Sequence, residues 1–112
     1  MENYKDLIRQ LTDCAITCEQ CATACLNESN VQAMTNCIKL DRDCTDVCHM
    51  AAKLLIRDSV IGRQFLLICE EMCRKCAEEC AKHDMDHCQR CAEACRNCAD
   101  ACHEHHEPIL QS

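Results

Sequence analysis

Apolar and thiol-bearing positions recur at intervals of three and four along nearly the whole chain, with polar and charged residues between them. That period belongs to helices that each bury one stripe. Polar breaks at Asn27-Glu28-Ser29-Asn30, at Arg57-Asp58-Ser59 and at His83-Asp84 cut the pattern into four segments of similar length. Each break supplies a residue suited to capping the next helix. The pattern predicts helices over residues 3–26, 31–57, 60–82 and 85–105. Connections this short make consecutive helices antiparallel neighbours. The expected fold is all-α, an up-down-up-down four-helix bundle over residues 1–106 with 107–112 as a flexible tail.

The stripe that turns inward is made largely of sulfur, which gives the bundle a cysteine-lined core. Helix 1 carries Cys14, Cys18, Cys21 and Cys25, helix 2 carries Cys37, Cys44 and Cys48, and helix 3 carries Cys69, Cys73, Cys76 and Cys80. Helix 4 carries Cys88, Cys91, Cys95, Cys98 and Cys102. A repeat C-x-x-C-A-x-x-C starts at Cys18, Cys73, Cys88 and Cys95, and its alanine permits close helix approach. With the helices antiparallel, helices 1 and 3 place thiols at offsets 0, 4, 7 and 11. Helix 2, counted from Cys37, reads 0, 7 and 11, with Asp41 in the missing slot, and helix 4 reads 0, 3, 7, 10 and 14. The four ladders are in register, so the thiols stack in layers along the bundle axis.

The two ends differ. Leu7, Ile8, Leu11, Leu54, Leu55, Ile56, Val60, Ile61, Phe65 and Leu66 collect at one end as a hydrophobic plug. Met34, Cys37, His83, Met85, His87 and Cys88 collect at the other, all soft or borderline metal ligands near helix termini, and mark an entrance.

Composition narrows the class. The chain has 112 residues, 16 of them Cys, with one Gly, one Pro and a net charge of −7. It is one domain, and it offers neither a basic stripe nor an aromatic platform for nucleic acid. The segment from Met1 to Asp6 lacks the pattern of a secretory signal, and no apolar run reaches membrane-spanning length, so a cytoplasmic protein with no membrane partner is expected. Thiols are kept reduced in that compartment, which favours metal ligation over disulfides. No nucleophile–base set or phosphate loop stands out, and an enzyme is not expected.

A buried thiol can serve as a small hydrophobe, but sixteen of them in place of Leu and Ile would fill a core poorly. Disulfides between helical neighbours suffer from parallel Cβ vectors. Zn²⁺ in isolated four-thiolate sites leaves two negative charges at each site, which is costly to bury. Cu(I) is soft and monovalent, so one ion replacing each thiol proton leaves the core charge unchanged. Linear S–Cu–S units need sulfurs roughly 4–5 Å apart, close to the spacing of helical neighbours. With bridging thiolates the capacity approaches one Cu(I) per Cys, on the order of sixteen per chain.

The in-register ladders, the run Cys91-Ala92-Glu93-Ala94-Cys95 and the run Met85-Asp86-His87-Cys88-Gln89-Arg90-Cys91 resemble the copper storage proteins, cysteine-lined four-helix bundles that hold many Cu(I) ions. The resemblance covers nearly the whole chain. It implies the cytosolic branch and a homotetramer, with the ladder thiols as ligands and His83, Met85 and His87 as candidate entrance ligands. Asp41 departs from a complete ladder.

Asp41 is expected either as an oxygen ligand or acceptor for nearby thiols, or rotated to solvent. Met34, Met50 and Met72 read as core filler, with Met34 and Met85 also placed at the entrance. His49, His103, His105 and His106 are expected to face solvent, the last three able to hold a stray divalent ion. Ile38, Val47, Ile68 and Met72 do not all fit the thiol stripe and point to self-association. Copper donor or acceptor proteins are not identified by the sequence. The rival functions are zinc buffering and thiol–disulfide exchange. Because thiols pack as small hydrophobes, the metal-free chain is expected to fold.

Overall fold

A computed structural model of the chain describes residues 4–106. Four helices account for most of it: α1 is Lys5–Leu26, α2 is Thr35–Ile56, α3 is Gly62–Cys80 and α4 is Asp86–His105. A single 3₁₀ turn, Val31–Met34, precedes α2. Each helix packs on two neighbours, α1 on α2 and α4, and α3 on α2 and α4. This is the up-down-up-down square, drawn out to 49 × 24 × 17 Å. The tail expected over 107–112 lies outside the described residues.

The helix ends shift from the sequence reading for local reasons. Residues 31–34 wind as 3₁₀ instead of α, and the Thr35 hydroxyl donates to the Gln32 carbonyl where the two forms meet. The α2–α3 reversal closes as a Schellman turn: Ser59 N–H donates to Leu54 O at 2.9 Å and Asp58 N–H to Leu55 O at 3.1 Å. Asp58 takes the left-handed conformation the turn requires, at φ 54°. The Ser59 hydroxyl accepts from Ile61 N–H, so α3 starts at Gly62, two residues later than the periodicity suggests. A Cβ on Gly62 would lie 3.3 Å from Leu55 Cδ2, which suits glycine to this close junction.

The plug is smaller than expected. Leu7, Leu11, Leu54, Leu55 and Leu66 are buried, with Ile8 and Phe65 packed against them. Ile56, Val60 and Ile61 are exposed, Val60 almost completely at 95%. They sit at or beside the reversal, where the chain leaves the helical face that would have turned them inward. Met34 fills core and Met72 is half-buried, whereas Met50 is exposed and fills nothing. The buried alanines Ala22, Ala77, Ala92 and Ala99 follow thiols of the repeat and let neighbouring helices approach. Thr45 is also buried; its hydroxyl contacts Ala15 O of α1 at 3.1 Å and Asp41 O of its own helix at 3.0 Å.

Candidate metal centre

All sixteen cysteines are free thiols, and each is buried with at most 1% exposure. The ladders meet in the expected register. From the plug towards the entrance, Cys48 Sγ lies 3.7 Å from Cys69 and 3.6 Å from Cys73. Cys44 lies 3.8 Å from Cys73, and Cys95 lies 3.9 Å from Cys14 and 3.5 Å from Cys18. Cys18 and Cys91 are 3.7 Å apart, Cys37 and Cys80 3.4 Å, and Cys25 lies 3.9 Å from both Cys37 and Cys88.

These separations are shorter than the 4–5 Å expected for linear S–Cu–S units. Three sulfurs around one ion, with metal–sulfur bonds of about 2.3 Å, form a triangle with edges of about 4.0 Å. The observed contacts of 3.4–4.0 Å fit that arrangement with small movements. Linear coordination needs pairs to open towards about 4.6 Å. Along the ladders three-sulfur sites therefore match the resting geometry better than linear ones.

The thiols form overlapping groups. Cys14, Cys44, Cys48 and Cys73 have their sulfurs within 4.8 Å of one another. Cys14 and Cys44 also belong to a group with Cys18 and Cys95, which in turn share a group with Cys76 and Cys91. Cys48 and Cys73 recur beside Cys69 and Cys98. Spacing alone suits tetrahedral Zn²⁺ as well as Cu(I), but shared corners prevent all of these groups from being filled at once as separate four-thiolate sites. A sulfur common to two filled groups must bridge.

Asp41 does not rotate to solvent. It is fully buried, and its Oδ1 lies 3.1 Å from Cys76 Sγ and 3.3 Å from both Cys80 and Cys91. Its Oδ2 lies 3.7 Å from Cys37 Sγ. One carboxyl thus gathers thiols from α2, α3 and α4. Burial pushes its pKa up to about 9 from the ordinary 3.8, with the Cys91 and Cys80 sulfurs adding to the effect. Near the entrance, burial likewise pushes the Cys88 thiol up to about 12 and raises Cys25.

His87 stands at the end of the bundle where the sequence leads one to expect an entrance. Its Nδ1 lies 3.5 Å from both Cys21 and Cys88 and 3.9 Å from Cys25. Its Nε2 contacts Glu28 Oε2 at 3.1 Å, which aims the ring at the sulfurs. Glu28 was not singled out from the sequence, where 59 residues separate it from His87. His83 turns elsewhere: its Nε2 meets Glu79 Oε2 at 2.9 Å, with no described contact to sulfur. Met34 lies within the buried thiol cluster and Met85 packs against it. His49 and His103 are exposed as expected, but His105 and His106 are half-buried because their rings fold back on Tyr4 and His103 respectively.

A four-helix bundle with overlapping clusters of buried free thiols and an imidazole at one end defines a protein that accumulates soft metal ions. The family model described as "Copper storage protein" matches residues 1–107, and the chain belongs to that family. An uncharacterized cysteine-rich protein of Bacillus subtilis (strain 168) is 43% identical over 90 residues, 80% of this chain and 83% of the relative. The solved Cu(I)-bound copper storage protein BsCsp3, from Bacillus subtilis, is similar with a TM-score of 0.89 and 39% identity, covering 93% of this chain and 98% of that one. A cytosolic copper storage protein from Streptomyces lividans, solved with five coppers, gives a TM-score of 0.84 at 42% identity over 88% of this chain and 87% of its own.

Proposed function

We propose that this copper storage protein holds its cargo as Cu(I)–thiolate clusters running through the bundle, with all sixteen cysteines as ligands and a capacity approaching one ion per thiol. The observation that carries the reading is the sharing of sulfurs between successive groups. Sulfurs shared among the groups join at least ten of the thiols into one bridged array, and only a monovalent ion fills such an array without accumulating charge in a dry core. Thiol–disulfide exchange is disfavoured because it needs an accessible thiolate, and every thiol here is buried. Nothing in the site calls for a catalytic step; the chemistry is uptake, retention and release.

Asp41 accepts thiol hydrogens in the metal-free form and serves as an occasional oxygen ligand during filling. The setting is the cytosol, where thiols stay reduced. Among the described residues no helix is long and apolar enough to cross a membrane. Ile16, Ile56 and Ile68 are exposed apolar side chains available for self-association into the tetramer implied by resemblance. Anaerobic titration of the reduced chain with Cu(I) against a competing chelator should retain on the order of sixteen equivalents, and light scattering on the same sample should report several chains. Saturation after two or three equivalents would overturn the storage reading, and a monomer would overturn the assembly.

His87 is the proposed first ligand for an arriving ion, with Met34 and Met85 beside it as accessory donors. The His87→Ala variant should load several-fold more slowly while final capacity stays near the wild-type value, as stopped-flow absorbance in the thiolate–copper band would show. His83→Ala should load at the wild-type rate, because that ring is engaged with Glu79. Unchanged loading in His87→Ala would remove the entrance role.

A further inference from the structure

A second set of ligating side chains lies outside the thiol array, at the opposite end of α4 from His87. His103 and His106, three residues apart at the end of α4, share a face, and Glu70 of α3 reaches across to both. His103 Nδ1 lies 3.1 Å from Glu70 Oε2 and 3.3 Å from Oε1, and His106 Nε2 lies 3.4 Å from Oε1. The two imidazole rings meet edge to face at 5.1 Å between centroids. His87 stands sixteen residues earlier on the same helix, about 24 Å away at 1.5 Å per residue.

We infer that Glu70, His103 and His106 form a second metal site, for a divalent first-row cation such as Zn²⁺, separate from the thiols. Two imidazoles and one carboxylate are a borderline donor set that suits a divalent ion, whereas Cu(I) is drawn to sulfur. Three further features agree. Among the described residues, His106 Nδ1 is the buried side-chain nitrogen or oxygen without a hydrogen-bond partner. An imidazole with one nitrogen unpartnered gains by turning about its Cβ–Cγ bond onto a cation. Arg74 fixes the carboxylate from behind, with Nη2 at 3.0 Å and Nε at 3.1 Å from Glu70 Oε2, and is itself held by Asp100 at 3.3 Å. Oε1 faces both rings, and Oε2 is shared between Arg74 and His103. The site also lies at the C-terminus of α4, where the helix dipole favours positive charge. His103 is exposed, so an ion reaches the site from solvent without passing through the bundle.

The test uses the full chain with its thiols first saturated anaerobically with Cu(I). Zn²⁺ titrated against a chromophoric chelator should then bind as one saturable equivalent. Glu70→Gln and His103→Ala should each weaken that equivalent at least about tenfold while leaving the Cu(I) content unchanged, which also shows that both variants fold. Zinc-edge X-ray absorption should show nitrogen and oxygen neighbours. No saturable equivalent, or the same affinity in wild type and both variants, would overturn the site. The comparison reads a difference between variants, so a shortfall in copper capacity would count against the thiol reading and leave the zinc result intact.

Discussion

Averaged over complete loading near neutral pH, each Cu(I) ion should displace about one proton from the metal-free protein, and its apparent affinity should fall about tenfold for every unit by which the pH is lowered. The sign follows from the thiols. Burial raises Cys25, and it raises Cys88 to about 12, so these two thiols keep their protons at neutral pH. A proton and a metal ion then compete for these two sulfurs at neutral pH and below, and acid strengthens the proton. Between about pH 7.5 and about pH 5.5 each ion should be held about a hundredfold less tightly, because one unit corresponds to about 1.4 kcal/mol. Proton release is read with an indicator dye in weak buffer, and affinity with a chelator that does not titrate in that range. Isolated Zn²⁺ tetrathiolate sites would instead release about four protons per ion. A ratio well above one for Cu(I) at full loading, or affinity independent of pH, would remove electroneutral exchange as the principle of filling.

The features on which this result depends were legible in the sequence to different degrees. Helix number, antiparallel order and ladder register follow from period and loop length, and the Cys18–Cys95 and Cys44–Cys73 contacts match them. Register fixed which sulfurs meet but not how closely. The separations came out near 3.4–4.0 Å because alanines such as Ala22 and Ala99 bring the helices together, a packing effect that ligand spacing does not contain. At the entrance, periodicity placed His83 and His87 together, but their roles depend on which carboxylate each ring meets. His83 has Glu79 four residues back in the last turn of α3, while His87 has Glu28 across the bundle. Only the first pairing is local in sequence, and it is the one that draws a histidine away from the thiols. The plug was overread for a related reason: hydropathy marks Val60 and Ile61 as core, but the Ser59 turn at 59–61 faces them outward.

Replacing Asp41 by asparagine should flatten the pH dependence of stability in the reduced, metal-free protein. The native carboxyl has a pKa of about 9 against an ordinary 3.8, chiefly because it is buried. Between those values the unfolded chain gives up this proton and the native chain keeps it, so the native state loses ground as pH rises from about 4 to about 9. One such group contributes up to about 1.4 kcal/mol per pH unit, hence about 2 kcal/mol or more between about pH 5 and about pH 7. In a domain of this size that corresponds to a fall in Tm on the order of 10 °C. The asparagine side chain fills nearly the same volume without titrating, so Asp41→Asn should lose at least that much less stability over the interval. Urea unfolding of both proteins at the two pH values gives the difference, in which contributions from other carboxylates cancel. Equal losses would mean that Asp41 is already ionised in the native state. A carboxylate beside Cys76, Cys80 and Cys91 would then add a buried negative charge and draw the first copper ions to that layer of the bundle. A neutral carboxyl adds no charge of its own to that layer, and the order of filling is then expected to follow access past His87 and the spacing of the sulfurs.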